Sequence, residues 1–331
     1  MRADRRRWLK RSVAMAAASS VPFGEAFAAS PFPSRPIMMW VPWAAGGSTD
    51  VCLRLLAELA SQTLGQRVLV ENRGGAGGTL AMPIIQKADP DGYTIAQLPQ
   101  PVFRAPFTQK VLWDPVRDIT PIIQISGVTF GVLVNAASPF KTLEDLFAYA
   151  RAHPGELSVA TNGVGTTPHI VLEELLTERG LSYIHVPYKG TAELTIAVEA
   201  GQVMAGVNST GFGPLVDSGR LRLLASFASH RSKRWPQVPI LRELGYDIVA
   251  MSPFGLIGPR GMSPHVVAVL HDAFKKALFD PQVAREFAKY DQEVDYLGPE
   301  DYARACREQY AKERAIAERM GLTRAPGAPG G

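Results

Sequence analysis

Short apolar runs alternate along the chain with segments whose apolar residues recur every three or four positions. The run at 37–43, IMMWVPW, predicts a buried strand, and the apolar residues within 51–64 recur at helical spacing. Two further strand patterns follow at 67–71 and 93–98, and a helix pattern ending near Lys87 lies between them. This βαβαβ order predicts a parallel sheet with helices on both faces.

The middle of the chain repeats this alternation, and two long β-prone stretches flank it. These stretches, 119–134 and 248–257, could each carry the chain from one part of the fold to another. The chain then ends in three helix patterns, at 264–278, 281–289 and 299–319. Because two crossings between α/β parts form a hinge, the pattern predicts an α/β protein with two lobes, hinge strands and a central cleft.

These crossings also predict the domain boundaries. Lobe 1 is expected to be discontinuous and to comprise residues 29–130 and 253–320, because the C-terminal helices return to it. Lobe 2 is expected to comprise residues 131–252. The glycine- and proline-rich segment 321–331 is expected to be a disordered tail.

Residues 1–28 have the pattern of an export signal. A basic stretch ending at Arg11 precedes a short apolar run at 13–18, and Ala-Phe-Ala before residue 29 predicts cleavage after Ala28. The segment RRRWLK resembles a twin-arginine signal, with Asp4 where that motif prefers serine, and a general secretory signal remains the alternative. The apolar run is far shorter than the ~20 residues of a membrane span, so we expect a periplasmic protein.

Charge excludes one class of partner. The formal net charge is +4, and the 28-residue leader alone contributes six basic and two acidic residues, which is also +4. The remainder is therefore neutral overall, and we expect no nucleic-acid partner, since such proteins need a basic face. Cys52 and Cys306 are the only cysteines in the sequence. The sequence leaves open whether they form a disulfide or remain two buried thiols.

Three glycine-rich loops each follow a strand and precede a helix, at 44–50, 72–78 and 161–168. Such loops lie at the carboxyl ends of strands, where open α/β sheets bind ligands. Backbone N–H groups and the helix N-terminus there favour an anion such as a carboxylate, although glycine before a helix is also ordinary turn chemistry. No nucleophile elbow, metalloprotease motif, phosphate-binding loop or zinc-type cluster occurs, so no catalytic residue, metal or cofactor is predicted.

The chain resembles the Bug receptors, the periplasmic solute-binding proteins of tripartite tricarboxylate transporters. The matching stretches span nearly the whole mature chain in the family's order. They are RPIMMWVPWAAGGSTD, GQRVLVENRGGAGG, ADPDGYTI, ATNGVGTTPH, HVPYKG, GRLRLLA and RSKRWPQVPILRELGY. The resemblance implies a type II periplasmic-binding-protein fold, with a ligand held between two α/β lobes.

The resemblance also implies the candidate ligand-binding residues. Backbone groups of the first loop and of the third loop would hold a carboxylate, and Asp50 is expected to stabilise the start of the first helix. The candidates are Trp43, Gly46, Gly47, Ser48, Thr49, Gln100, Gly163, Gly165, Thr166, Thr167, His169 and Asn208. Trp43 could instead be a core residue, and His169 a capping or packing residue. Asn208 stands where the family often has aspartate, which favours a ligand without an amine.

The predicted function is a periplasmic receptor for a small organic carboxylate. Its expected partners are that anion and the membrane subunits of a transporter. A ligand sensor that acts on a membrane kinase is the alternative. An enzyme with His169 in the cleft is a third possibility, to which the chain lends little support. The sequence contains no signature of an oligomer, so we expect a monomer.

Overall fold

The computed structural model describes residues 32–177 and 179–322. The predicted signal peptide and all but the first two residues of the predicted tail lie outside the described residues. Within the described ranges the chain forms ten strands and ten α-helices. The strands are β1 Ile37–Val41, β2 Val68–Asn72, β3 Thr94–Leu98, β4 Ile119–Asn135, β5 Ser158–Thr161, β6 Ile184–Pro187, β7 Ala205–Ser209, β8 Leu221–Ser226, β9 Met251–Pro259 and β10 Val294–Leu297. The helices are α1 Ser48–Leu64, α2 Met82–Lys87, α3 Pro101–Thr108, α4 Leu143–Ala152, α5 Thr167–Thr177, α6 Thr191–Glu199, α7 Gly213–Asp217, α8 Pro264–Leu278, α9 Pro281–Ala288 and α10 Pro299–Arg319.

The first strand and helix form where the apolar spacing predicts them. Ile37 and Met39, two positions apart on β1, are fully buried, as the period of a strand requires. Leu53 and Leu56 on α1 are also fully buried and belong to the same core cluster. The helix ends at Gly65, whose φ of 65° is the left-handed conformation common at helix C-termini.

The strands form one curled sheet made of two halves. In the first half-sheet, β1 pairs in parallel with β2 and β3, and β9 joins β3 to β4 in antiparallel fashion. In the second half-sheet, β5 pairs in parallel with β6 and β7, and β4 pairs antiparallel with β7 and β8. The parallel strands of each half are connected by helices, as the alternating pattern predicts.

Strand β4 belongs to both halves. It pairs with β9 as far as Thr129, which lies opposite Met251, and from Phe130 onward it pairs with β7 and β8. The chain returns from the second half-sheet to the first near Ala250, just before β9 begins. The N–H of Ala250 donates to the carbonyl of Phe227. The C-terminal helices return to the first half, where α8 packs on α1 and α10 packs on α3.

The structure differs from the predicted elements in two places. The strand predicted for 37–43 ends at Val41, because Pro42 has no N–H to continue the ladder. The segment after β3 forms helix α3, which the apolar pattern did not predict. Its Pro101 is at the start of the helix, where a missing N–H costs no hydrogen bond.

Both cysteines are free and buried. Cys52 lies on α1, where its Sγ is 3.9 Å from Oε1 of Gln292, and Cys306 lies in a separate cluster on α10 with Tyr302. Burial raises the pKa of the Cys306 thiol to about 12, and it also raises that of Cys52. The alternative of two buried thiols is therefore the observed one.

None of the helices in the described ranges combines the length and apolar character needed to cross a bilayer.

Candidate functional site

A small cavity lies where the two half-sheets meet, at the starts of α1, α5 and α6. It offers about 40 Å³ to the centres of water-sized molecules, which is room for a few waters or a small solute. Its lining residues are Trp43, Ala44, Gly47, Thr49, Asp50, Gln97, Pro99, Pro101, Val128, Phe130, Asn162, Thr166, Thr167, Pro168, Thr191, Ser209, Ser252 and Phe254. Both halves contribute, so a solute here would contact both at once.

Asp50 is the one ionisable side chain among these described lining residues, and the protein already pairs it. Its carboxylate accepts hydrogen bonds from the N–H of Gly46 at 2.9 Å and from Nδ2 of Asn72 at 2.8 Å. It also forms an ion pair with Arg54 at 3.0 Å. Asp50 thus stabilises the helix start, as predicted. The Gly46 N–H, predicted to serve a ligand, is used within the loop instead.

Three helix N-termini contribute to the cavity. Gly47 is the N-cap of α1 and Gly190 the N-cap of α6, and neither helix is capped by a side chain. Thr167 is the first residue of α5. Since the first N–H groups of a helix have no partner within it, each terminus carries roughly half a positive charge. Unpaired donors and positive potential at three termini suit an anion that lacks a cationic side-chain partner.

The hydroxyls of the third loop are used within the protein. Thr166 Oγ1 donates to the carbonyl of Gly163 at 2.7 Å, and Thr167 Oγ1 donates to Oε1 of Gln100 at 3.0 Å. Thr191 Oγ1 and Ser209 Oγ lie 2.9 Å apart, and either can be the donor. The donors left for a ligand are therefore backbone N–H groups and this last hydroxyl pair, rather than the hydroxyls of Thr166 and Thr167.

Apolar side chains form the rest of the wall. Trp43, Phe130 and Phe254 line the cavity. The Trp43 ring packs so closely on Gly78 that a Cβ there would lie 2.6 Å from a ring carbon. Gly78 also has a φ of 90°, so both space and conformation require glycine. Trp43 is thus a wall residue, held in place by the second glycine loop.

The cavity brings together only some of the predicted site residues. Those in its lining are Trp43, Gly47, Thr49, Thr166 and Thr167. Those outside it are Gly46, Ser48, Gln100, Gly163, Gly165, His169 and Asn208. Ser48 is buried beside the cavity, and its Oγ has no hydrogen-bond partner in the described structure. Ligand contact by the five lining residues stays a prediction.

Gln100 and Asn208 have their polar groups satisfied elsewhere. Gln100 Nε2 donates to Oε1 of Glu313 at 2.5 Å, and its oxygen accepts from Thr167. Asn208 is fully buried, donates to Thr195 Oγ1 at 2.9 Å and accepts from the N–H of Ser209 at 2.9 Å. The amide of Asn208 therefore gives no ground for deciding whether the ligand carries an amine.

His169 lies in a neighbouring groove together with Gly163 and Gly165. Its Nδ1 accepts from the N–H of Gly165 at 3.3 Å, and its ring lies 4.2 Å from that of His185. Burial lowers the pKa of His169, with Glu173 opposing and Arg104 adding to the shift. His169 therefore braces the third loop through this hydrogen bond, which is the packing role that the sequence analysis left open.

The histidine pair predicts a loss of stability in acid. Burial and the nearby His169 lower the pKa of His185 from 6.5 to about 4, while Glu173 opposes the shift. A lowered histidine pKa means that the unfolded chain binds more protons, so stability is present above pH 6.5 and falls toward pH 4. We expect the melting temperature to fall in that window and to fall less in His185→Gln. The control is His265→Gln at the exposed start of α8. A wild-type pH dependence in His185→Gln would contradict the assignment.

The sequence analysis missed five polar lining residues, Gln97, Asn162, Thr191, Ser209 and Ser252. Two of them carried a usable signal. Gln97 is a polar residue near the end of an otherwise apolar strand, and Thr191 follows Gly190 at a fourth turn from strand to helix. Asn162 and Ser209 are short polar residues at strand ends, a position too common to single them out.

Two α/β halves joined by crossing strands, with a cavity faced by helix N-termini, are the architecture of solute-binding proteins. The comparisons agree, and the predicted two-lobed α/β fold is confirmed. The chain belongs to the family described as TctC, the tripartite tricarboxylate transporter family receptor, whose model matches residues 52–322. The resemblance to Bug receptors is therefore also confirmed.

Named relatives cover most of the chain. A protein of Cupriavidus necator named for the gbd 5′ region is 46% identical over 297 residues, which is 90% of this chain and 91% of that protein. Protein BugT of Bordetella pertussis is 33% identical over 266 residues, which is 78% of this chain and 81% of that protein. The match therefore extends along most of the length of both relatives.

Solved structures share the fold throughout. The periplasmic binding protein BugD is 28% identical, with a TM-score of 0.84 over 89% of this chain and 100% of its own. MatC of Rhodopseudomonas palustris, solved with bound malate, is 28% identical, with a TM-score of 0.81 over 86% and 99%. A second R. palustris protein, solved with adipate, is 27% identical, with a TM-score of 0.82 over 88% and 99%.

Proposed function

We propose that this protein is a periplasmic receptor that captures a small organic carboxylate in the cavity between its lobes. The observation that carries the proposal is the convergence of three helix N-termini on a cavity whose described lining has no lysine, arginine or histidine. Backbone N–H groups at a helix start bind an anion without a side-chain cation. At the lower dielectric of a closed cavity, their attraction for the carboxylate is stronger than in water.

The relatives support the ligand class. MatC is solved with malate and a second structural neighbour with adipate, and both ligands are small carboxylates. The family is one of transporter receptors, so the proposed partners are the membrane subunits of a tripartite transporter. The export signal predicted in residues 1–28 would deliver the protein to the periplasm, where we propose that it acts as a monomer.

We propose that the lobes open and close about β4 and β9. Pairing between these strands ends at Thr129 and Met251, and beyond that point each chain continues into the second half. These positions lie close to the domain boundaries expected from the sequence. The glycine loops would meet on closure, since a Cβ on Gly77 would lie 2.8 Å from the carbonyl of Val164. Ligand entry requires the halves to part, because both line the cavity.

A thermal-shift screen tests the proposed function. The mature chain, 29–331, is melted with di- and tricarboxylates, monocarboxylates and amino acids, after denaturation and refolding to remove any retained ligand. A ligand at 100 times its dissociation constant adds about 2.7 kcal/mol of stability, which such a melt detects. We expect at least one carboxylate to raise the melting temperature, whereas its amide and its alcohol do not. If no carboxylate stabilises the refolded protein, the receptor proposal is wrong.

A further inference from the structure

Glu313 is a buried carboxylate that the proposed function does not use. It lies on α10 in the first half and is fully buried. Its Oε1 accepts from Nε2 of Gln100 at 2.5 Å and from Nε2 of Gln309 at 2.8 Å. Its Oε2 accepts from Nε of Arg104 at 2.6 Å and lies 2.6 Å from Nη2 of the same residue. Glu313 thereby fixes the orientation of Gln100, the N-cap of α3, and of Arg104 within that helix.

The polar groups that Gln100 and Arg104 have left cross to the second half. Because Nε2 of Gln100 is used by Glu313, its Oε1 remains, and this oxygen accepts from Thr167 Oγ1 at 3.0 Å. Because Nε and Nη2 of Arg104 are used by Glu313, its Nη1 remains, and this nitrogen donates to the carbonyl of Gly165 at 2.8 Å. We call Gln100, Arg104 and Glu313 the α3–α10 clamp.

The clamp holds the segment that begins helix α5. Gly165 belongs to the third glycine loop, and Thr167 is the first residue of α5, whose N-terminus faces the cavity. Gln100 and Arg104 themselves line a neighbouring groove beside α10 rather than the cavity. The clamp therefore holds a helix N-terminus at the ligand site through residues that do not line that site.

Closure makes the two crossing contacts, and opening breaks them. The pair of Arg104 with Glu313 lies within the first half, so it persists when the halves part and no buried charge is left unpaired. Water then satisfies the freed groups of Gln100 and Arg104. Contacts that only one of two forms makes shift the equilibrium toward that form.

Building on the proposed function, we infer that Gln100 and Arg104 are positioning residues that stabilise the closed form and slow the release of the bound carboxylate. Since neither side chain lines the cavity, they act alike on every ligand. Their effect falls on the lifetime of the complex, where most differences in affinity arise, and leaves the order of affinities unchanged.

A disulfide trap without ligand tests this inference. A Cβ on Gly47 in the first half would lie 3.5 Å from Cβ of Thr191 in the second, within the range found in disulfides. In Gly47→Cys/Thr191→Cys the rate of disulfide formation under mild oxidation therefore reports how often the halves close, and the two native thiols are buried. We expect Thr167→Val and Gln100→Met each to slow the reaction about tenfold, because each leaves a polar partner unpaired in the closed form. The double variant should be little slower than either single variant.

A same-helix control and a release measurement complete the test. Thr177→Val, at the other end of α5, should leave the rate unchanged, since its hydroxyl contacts Glu173 on the same helix. For each of succinate, malate, adipate and citrate that binds, stopped-flow release should be about tenfold faster in Gln100→Met, with the order of affinities unchanged.

The outcomes separate this inference from the proposed function. Wild-type trapping rates in folded Gln100→Met and Thr167→Val, or effects that multiply in the double variant, would overturn the clamp. So would a parent cysteine pair that never forms its disulfide, because the halves would then not close to this geometry. If Gln100→Met does not fold, the rate in Thr167→Val decides. The trap contains no ligand, so the receptor proposal is decided separately by the thermal-shift screen.

Discussion

Gly190→Val is expected to weaken carboxylate binding by about 10- to 100-fold while leaving the fold intact. Gly190 is the N-cap of α6, and its φ of −178° is extended backbone that valine adopts without strain. A Cβ there would lie 3.0 Å from Cβ of Ala44 and 3.2 Å from the Ala44 N, on the loop before α1. Overpacking of this kind costs roughly 1–3 kcal/mol, and each 1.4 kcal/mol is tenfold in affinity. The cost falls on the closed form, because Ala44 belongs to the opposite half.

Calorimetric titration and small-angle scattering measure this effect together. The variant should bind the carboxylate more weakly and should keep a larger radius of gyration at saturating ligand. Gly298→Val is the matched control, since Gly298 is also an extended N-cap glycine, on α10, and a Cβ there would meet Tyr296 at 3.4 Å rather than the opposite half. Wild-type affinity in Gly190→Val would show that binding does not require closure to this geometry.

Arg104→Met is expected to destabilise the protein by about 3–5 kcal/mol, because it leaves a buried carboxylate without its cation. The side chains of Arg104 and Glu313 are 3% and 0% exposed, and Arg104 Nη2 lies 2.6 Å from Glu313 Oε2. Burial lowers the pKa of Arg104, and Glu313 opposes that shift. Arg104 Nη1 also donates to the carbonyl of Gly165 at 2.8 Å, so the pair connects α3 and α10 to the third glycine loop.

Urea unfolding of Arg104→Met, with and without ligand, checks this result. The double variant Arg104→Met/Glu313→Gln should recover a large part of the loss, because it removes the unpaired charge and keeps an acceptor for Gln100. Arg314→Met is the control on α10, the helix of Glu313, where the exposed pair of Arg314 with Glu318 should contribute nothing measurable. If Arg104→Met lowers the free energy of unfolding as little as Arg314→Met does, the buried pair does not stabilise the fold.

Periodicity predicted the elements well where apolar residues carry the pattern. The helix expected at 299–319 is α10 Pro299–Arg319, and the long β-prone stretch at 119–134 is β4 Ile119–Asn135. Helix α3 escaped detection because its two prolines are typical of loops, although one of them is at a position that helices tolerate. The local pattern of apolar residues therefore predicts most helices and strands. It fails for α3, where the effect of a proline depends on its position within the helix.

The sequence predicted only some of the site residues, because the cavity forms where segments that are far apart in the chain come together. The first and third glycine loops do reach the cavity, through Gly47, Thr49, Thr166 and Thr167. The second loop instead packs against the Trp43 ring and the third loop. In the sequence, glycines that allow such close packing cannot be told from glycines that make room for a ligand. The sequence does not show which N–H groups stay unpaired, or that Oε1 of Gln97 lacks a partner. Both depend on hydrogen bonds between residues that are far apart in the chain.

A crystal structure of the mature protein, grown with the carboxylate that gives the largest thermal shift, tests the central claim most directly. We expect density for the ligand within the cavity, with its carboxylate oxygens at hydrogen-bond distance from backbone N–H groups at the starts of α1 and α5 and without contact to a lysine or arginine side chain. A carboxylate bound outside this cavity, or held by such a side chain, would contradict the account.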